Sequence, residues 1–141
     1  MESGLWNWVR KYLPPGRYSR IESPTSPGIP DVGYTTGGIR GWIELKDAKK
    51  ATAKQPFKRG GLRPEQINWF REEIEAGGSD PLWILARVGK TIYLVPGIYF
   101  AIFNDMTQAD LVDCADLMAS VYDFRRPAIQ DRFISLLTRT Q

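Results

Sequence analysis

The chain has 141 residues, 43% of them hydrophobic and 12% aromatic, with a net charge of +3, one cysteine and no histidine. That length and apolar content support a single domain with a sizeable core, while the missing histidine excludes Ser-His-Asp and Cys-His catalysis and any nuclease with a histidine base. A zinc site has too few ligands here, so any chemistry must come from carboxylates, lysine, arginine, tyrosine or a hard metal such as Mg²⁺.

Residues 2 to 13 read as a helix, because Leu5, Trp8, Val9, Tyr12 and Leu13 recur at helical spacing until Pro14-Pro15 ends the run. Gly16 to Ser23 reads as a short strand around Tyr18 and Ile21. Pro24, Pro27, Gly28 and Pro30 punctuate an extended connection. Val32 to Thr35 reads as a second strand, Gly37-Gly38 as a turn, and Ile39 to Lys46 as a third strand. Within it, Trp42-Ile43-Glu44-Leu45-Lys46 alternates. Ile43 and Leu45 share one face, expected to be core, and Trp42, Glu44 and Lys46 share the other.

From Lys46 to Arg63 the chain carries seven basic residues against one acid, Asp47. Lys49, Lys50, Lys54, Lys58, Arg59 and Arg63 are either a phosphate-contacting surface or a solvated loop. A helix follows, with Pro64 in its first turn, a stripe of Ile67, Phe70 and Ile74, and a stop at Gly77-Gly78. Leu82 to Val88 and Thr91 to Val95 form a predicted hairpin around Gly89-Lys90. Ile98 to Phe103 fits helix or strand. Thr107 caps a predicted helix bearing Leu111, Ala115, Leu117 and Met118. Pro127 starts another, bearing Ile129, Phe133, Ile134 and Leu137. The order, α-β-β-β-α-β-β and then helices, implies a mixed sheet flanked by helices.

Trp6 and Trp42 are the tryptophans most expected to be exposed. No run of eighteen apolar residues exists, so no membrane span is expected. No basic region leads into an apolar stretch at the start, so no signal peptide is expected either. Cys114 has no internal disulfide partner, which fits a reducing, cytoplasmic setting.

Glu44 and Lys46 should lie about 6.5–7 Å apart on one strand face. The hairpin between the second and third strands can return Asp31 beside them. Two clustered carboxylates repel each other, and a hard divalent cation relieves the repulsion. Mg²⁺ accepts one or two carboxylates together with waters and phosphate oxygens. Read alone, Glu44 and Lys46 also fit an ordinary ion pair on an exposed strand, and Asp31 a turn residue after proline.

Pro30-Asp31, twelve residues, then Glu44-Leu45-Lys46 resembles the PD-(D/E)XK nuclease signature. "GIPDVGY", "GWIELK", "RPEQINWF" and "EAGG" together look like the VRR-NUC subgroup, similar also to archaeal-type Holliday junction resolvases. The resemblance covers residues 2 to 95 and implies a restriction-endonuclease-like α-β-β-β-α-β core, with residues 98 to 141 as a C-terminal helical extension of the single domain. It implies Asp31 and Glu44 as metal-binding carboxylates, the Leu45 carbonyl as a further ligand, and Lys46 as the catalytic lysine. Gln66 matches the glutamine that opens the next helix. An acid on the first helix is often present in such nucleases, and Glu2 is preferred for it over Glu22. The cofactor implied is Mg²⁺, with Mn²⁺ as a substitute. The partner implied is DNA, branched or duplex, cut by a homodimer. The alternative is a non-catalytic DNA-binding module of the same fold, serving recombination or packaging. The long basic link from Asp47 to Leu62 departs from the subgroup, whose link is short.

Overall fold

A computed structural model of the chain describes residues 3–21 and 27–139. Helix α1 (Ser3–Val9) runs on into a 3₁₀ turn (Arg10–Tyr12) and stops before the prolines. Six strands follow: β1 (Arg17–Arg20), β2 (Val32–Thr36), β3 (Ile39–Ala48), β4 (Leu82–Val88), β5 (Thr91–Pro96) and β6 (Leu117–Ser120). Helices α2 (Pro64–Glu75), α3 (Gln108–Cys114) and α4 (Pro127–Leu137) complete the chain. The strands form one sheet in sequence order, β1-β2-β3-β4-β5-β6. All neighbours are antiparallel except β3 and β4. This is an α/β fold with a mixed sheet flanked by helices.

The parallel pair explains the layout. Two parallel strands need a long crossover, and the stretch between β3 and β4 supplies it with the basic segment and α2. Each sheet face buries its own core. On the first face, Leu5 and Val9 of α1 and Phe133, Leu136 and Leu137 of α4 pack on Val32, Tyr34, Ile43, Leu45 and Trp83. On the second, Phe70 of α2 and Leu111 of α3 pack with Phe57, Leu62 and Phe103 on Ile84, Ala86 and Val88. Strand β3 is central and covered on both faces, and it buries Glu44 (1% exposed) and Lys46 (8% exposed). Among the described residues no helix is long and apolar enough to cross a membrane.

The last third is less helical than its spacing suggests. Helix α3 ends at Cys114, Ala115 turns extended, and Leu117 and Met118 lie in β6, not in a helix. Leu117 and Ala119 are buried while Met118 is 48% exposed. This in-out-in alternation has the period of a strand. Leu111, Ala115 and Met118 coincide with helical spacing, but the open edge of β5 pairs with this segment and decides its conformation. The stretch Ile98 to Phe103 is neither α-helix nor strand; 3₁₀ turns at Gly97–Ala101 and Phe103–Asp105 occupy it. Trp6 and Trp42 are half-buried. Trp42 meets Trp69 edge-on at 5.4 Å between ring centroids.

Candidate active site

Strand β3 delivers Glu44 and Lys46 to the second face of the sheet, because they are two residues apart in an extended chain. Asp31 stands one residue before β2. The β2–β3 register pairs Val32 with Ile43, so its continuation sets Asp31 across from Glu44. The two residues hold each other through the main chain. The Asp31 N–H donates to Glu44 Oε1 at 3.1 Å, and the Leu45 N–H donates to Asp31 Oδ2 at 3.0 Å.

Helix α2 brings the fourth member. Gln66 occupies the first turn, where helix N–H groups lack intrahelical partners. Its Oε1 accepts from the Arg63 N–H at 2.9 Å, capping the helix start. The same Oε1 accepts from Lys46 Nζ at 3.1 Å, and Gln66 Nε2 donates to Glu44 Oε2 at 2.7 Å. Lys46 Nζ lies 3.3 Å from Glu44 Oε2. One buried amide thereby fixes both the carboxylate and the ammonium. Asp31, Glu44, Leu45, Lys46 and Gln66 line a cleft of about 220 Å³, together with Gly60, Gly61 and Arg63.

Burial pushes the Glu44 carboxyl up to about 7, and the neighbouring Asp31 charge adds to the rise; Lys46 pulls against both. The ionised form is therefore costly without further positive charge. Available donors are hard oxygens. Asp31 Oδ1 accepts no hydrogen bond from the described residues. In an extended strand the N–H and C=O of one residue point to the same neighbour, so the Leu45 carbonyl leaves β3 on the Asp31 side. Two carboxylates and a carbonyl suit Mg²⁺ or Mn²⁺ and not a thiophilic metal. Among the described residues no three acidic, cysteine or histidine side chains converge. Glu2 and Glu22, the two candidates for a third acid, lie outside the described residues.

The basic segment divides in two. Arg63 reaches the cleft, while Lys49, Lys50, Lys54, Lys58 and Arg59 are exposed and do not line it. Lys58 pairs with Asp105 at 2.6 Å, and Arg63 with Glu65 at 3.2 Å. The segment is anchored. Phe57 and Leu62 are buried, and Phe57 stacks on Phe103 at 4.9 Å. Asn104 clasps the Leu62 backbone, accepting from its N–H at 2.7 Å and donating to its carbonyl at 2.8 Å. Gly61 permits this approach, since a Cβ there would lie 2.1 Å from Asn104 Oδ1. The sequence reading missed Asn104, which lies 42 positions from its partner. It also missed Gly60 and Gly61, whose doublet beside the basic run was the available signal. A larger cavity, of about 600 Å³, lies at the carboxyl end of β3 beside the Asp47–Arg87 ion pair. It contains none of Asp31, Glu44, Lys46 or Gln66.

Compared with known proteins, the chain matches no protein-family model and no curated protein.

Proposed function

We propose that the chain is a metal-dependent DNA endonuclease with a restriction-endonuclease-like core, hydrolysing phosphodiester bonds and favouring branched DNA such as a Holliday junction. The observation that supports this most is the convergence of Asp31, Glu44, Lys46 and Gln66 in one hydrogen-bonded cleft. An incidental surface ion pair does not bury both partners under a dedicated amide.

Asp31, Glu44 and the Leu45 carbonyl would hold Mg²⁺. Bound there, the ion would supply an acidified water and positive charge against the phosphate. Lys46 Nζ stands at the cleft, where it orients the attacking water and stabilises negative charge developing on the phosphate oxygens. Gln66 fixes the direction of Lys46 and Glu44 before substrate arrives, so neither has to reorganise during the reaction. Arg63 and the exposed lysines of the 49–63 segment hold the phosphate backbone. A homodimer suits a two-fold junction, which needs two symmetry-related sites for paired cuts.

The test is purified protein with Mg²⁺ or Mn²⁺ on duplex, flap, single-stranded and four-way DNA. Cutting is expected, strongest on the four-way substrate. Asp31→Ala and Lys46→Ala should each reduce it by about a thousandfold while DNA binding persists. Binding without cutting under either metal would establish the non-catalytic module instead.

A further inference from the structure

The antiparallel register of β1, β2 and β3 stacks three cross-strand rows on the face that carries the cleft. Arg17, Thr35 and Arg40 form the first row. Ser19, Gly33 and Trp42 form the second. The third is Ile21, Asp31 and Glu44, extended by the Ile21 N–H to the Asp31 carbonyl at 2.8 Å. Arg17, Ser19, Thr35 and Arg40 are exposed, and a shallow depression of about 140 Å³ runs between the first two rows. Core packing does not account for this face.

Its chemistry is one-sided. Among the described residues, the side chains of Arg17 and Arg40 make no hydrogen bond or ion pair. Arg40 lies over the Trp42 ring, its guanidinium carbon 5.4 Å from the centroid, a contact that holds the cation against the indole. Trp42 can lie down there because the residue opposite is glycine. A Cβ on Gly33 would lie 3.2 Å from the indole. No acid among the described residues lines the depression: Asp80 accepts from Trp42 Nε1 at 3.4 Å outside it, and Asp31 and Glu44 stand in the third row, turned into the cleft. Hydroxyls of Ser19 and Thr35 fill the remaining positions, and both can donate to phosphate oxygens.

We infer that this face is a second phosphodiester-binding track, gripping the DNA on the side of the cleft opposite the 49–63 segment. The inference extends the nuclease reading and rests on it for the identity of the anion. Glu44 follows Arg40 by four steps along β3, about 13 Å at the usual rise. That spans on the order of four phosphates of one strand along a duplex axis. The site then lies between two cationic regions, and the strand enters over one and leaves over the other.

The test measures binding separately from cutting. Arg17→Gln/Arg40→Gln is compared with wild type by fluorescence anisotropy of a labelled duplex and a labelled four-way junction, without metal, across a salt series. Arg125→Gln/Arg126→Gln, of equal charge and on the opposite side of the sheet, is the control. The track predicts that the first double variant lowers the slope of log affinity against log salt by about 2, and that the control does not. Methylphosphonate substitution on one side of the cut should weaken wild type and leave the first variant unaffected. Equal slopes in wild type and the first variant, or equal losses in both variants, overturn the track. Wild-type cutting with unaltered slopes removes the track and leaves the nuclease reading. Slope loss in a protein that never cuts keeps the track and removes the catalysis. Wild type with no affinity for either DNA removes both.

Discussion

The two faces of the sheet bury the same strand in opposite ways. On the first, β3 contributes Ile43 and Leu45 to an apolar core closed by α1 and α4. On the second, it buries Glu44 and Lys46, and α2 adds Gln66 instead of another apolar side chain. Of the buried polar side chains Thr36, Glu44, Lys46 and Gln66, the last three meet in the cleft. A carboxylate out of water is costly even when paired. The first face therefore supplies stability, and the second gives some of it up for a charged site held in one arrangement.

Three experiments bear on this contrast, beginning with the largest effect. Phe133 is fully buried on the first face, edge-on to Phe124 at 5.4 Å. Phe133→Ala should cost about 3–5 kcal/mol in urea unfolding, while the folded fraction keeps whatever cutting rate the wild type shows under the proposed nuclease function. A small loss would show that the first face is not the stabilising one.

The second concerns Glu44 and pH. Its carboxyl rises from 4.5 to about 7 in the folded protein, chiefly through burial. Between those values the folded chain keeps a proton that the unfolded chain has released. Stability is therefore greatest below the window and falls as pH rises through it. The metal-free protein should lose up to about 3 kcal/mol on this account. Glu44→Gln should remove the slope and the cutting together, and saturating Mg²⁺ should flatten the slope in wild type by favouring the ionised form. An unchanged slope in the variant would place the titration elsewhere.

The third and smallest effect is at Gln66. Gln66→Ala removes the partner shared by Glu44 and Lys46. Cutting should fall about 10–100-fold, with a raised Mg²⁺ requirement in the titration. A loss of stability with unaltered Mg²⁺ dependence would make Gln66 a helix cap alone.

Much of this was legible because it follows local periods. Alternation around Glu44 gave β3, and Pro64 with Gly77-Gly78 bracketed α2. Asp31, Glu44 and Lys46 were marked by strand spacing and the hairpin return, which survive folding because strand geometry is fixed; Gln66 was marked only by the family resemblance. What was not legible depends on distant partners. Residues 117–120 carry too few positions to outweigh a coincident helical spacing until β5 offers an edge. Arg17 and Arg40 join one row only once the strand register is known. Asn104 gives no sign of Leu62 in its own neighbourhood.

The main-chain bonds between Asp31 and the β3 strand have a consequence for how this protein can change over generations. The amide of residue 31 and the amide of residue 45 hold the two carboxylates, and an amide is present whatever non-proline side chain occupies the position. Substitutions nearby can therefore accumulate, and loops can lengthen or shorten, while the spacing of the acidic pair stays the same. A slipped hairpin would undo it, and a slip would also turn Ile43 and Leu45 out of the core, so selection for folding preserves the alignment of positions 31 and 44, while the acids themselves must be kept by what the site does.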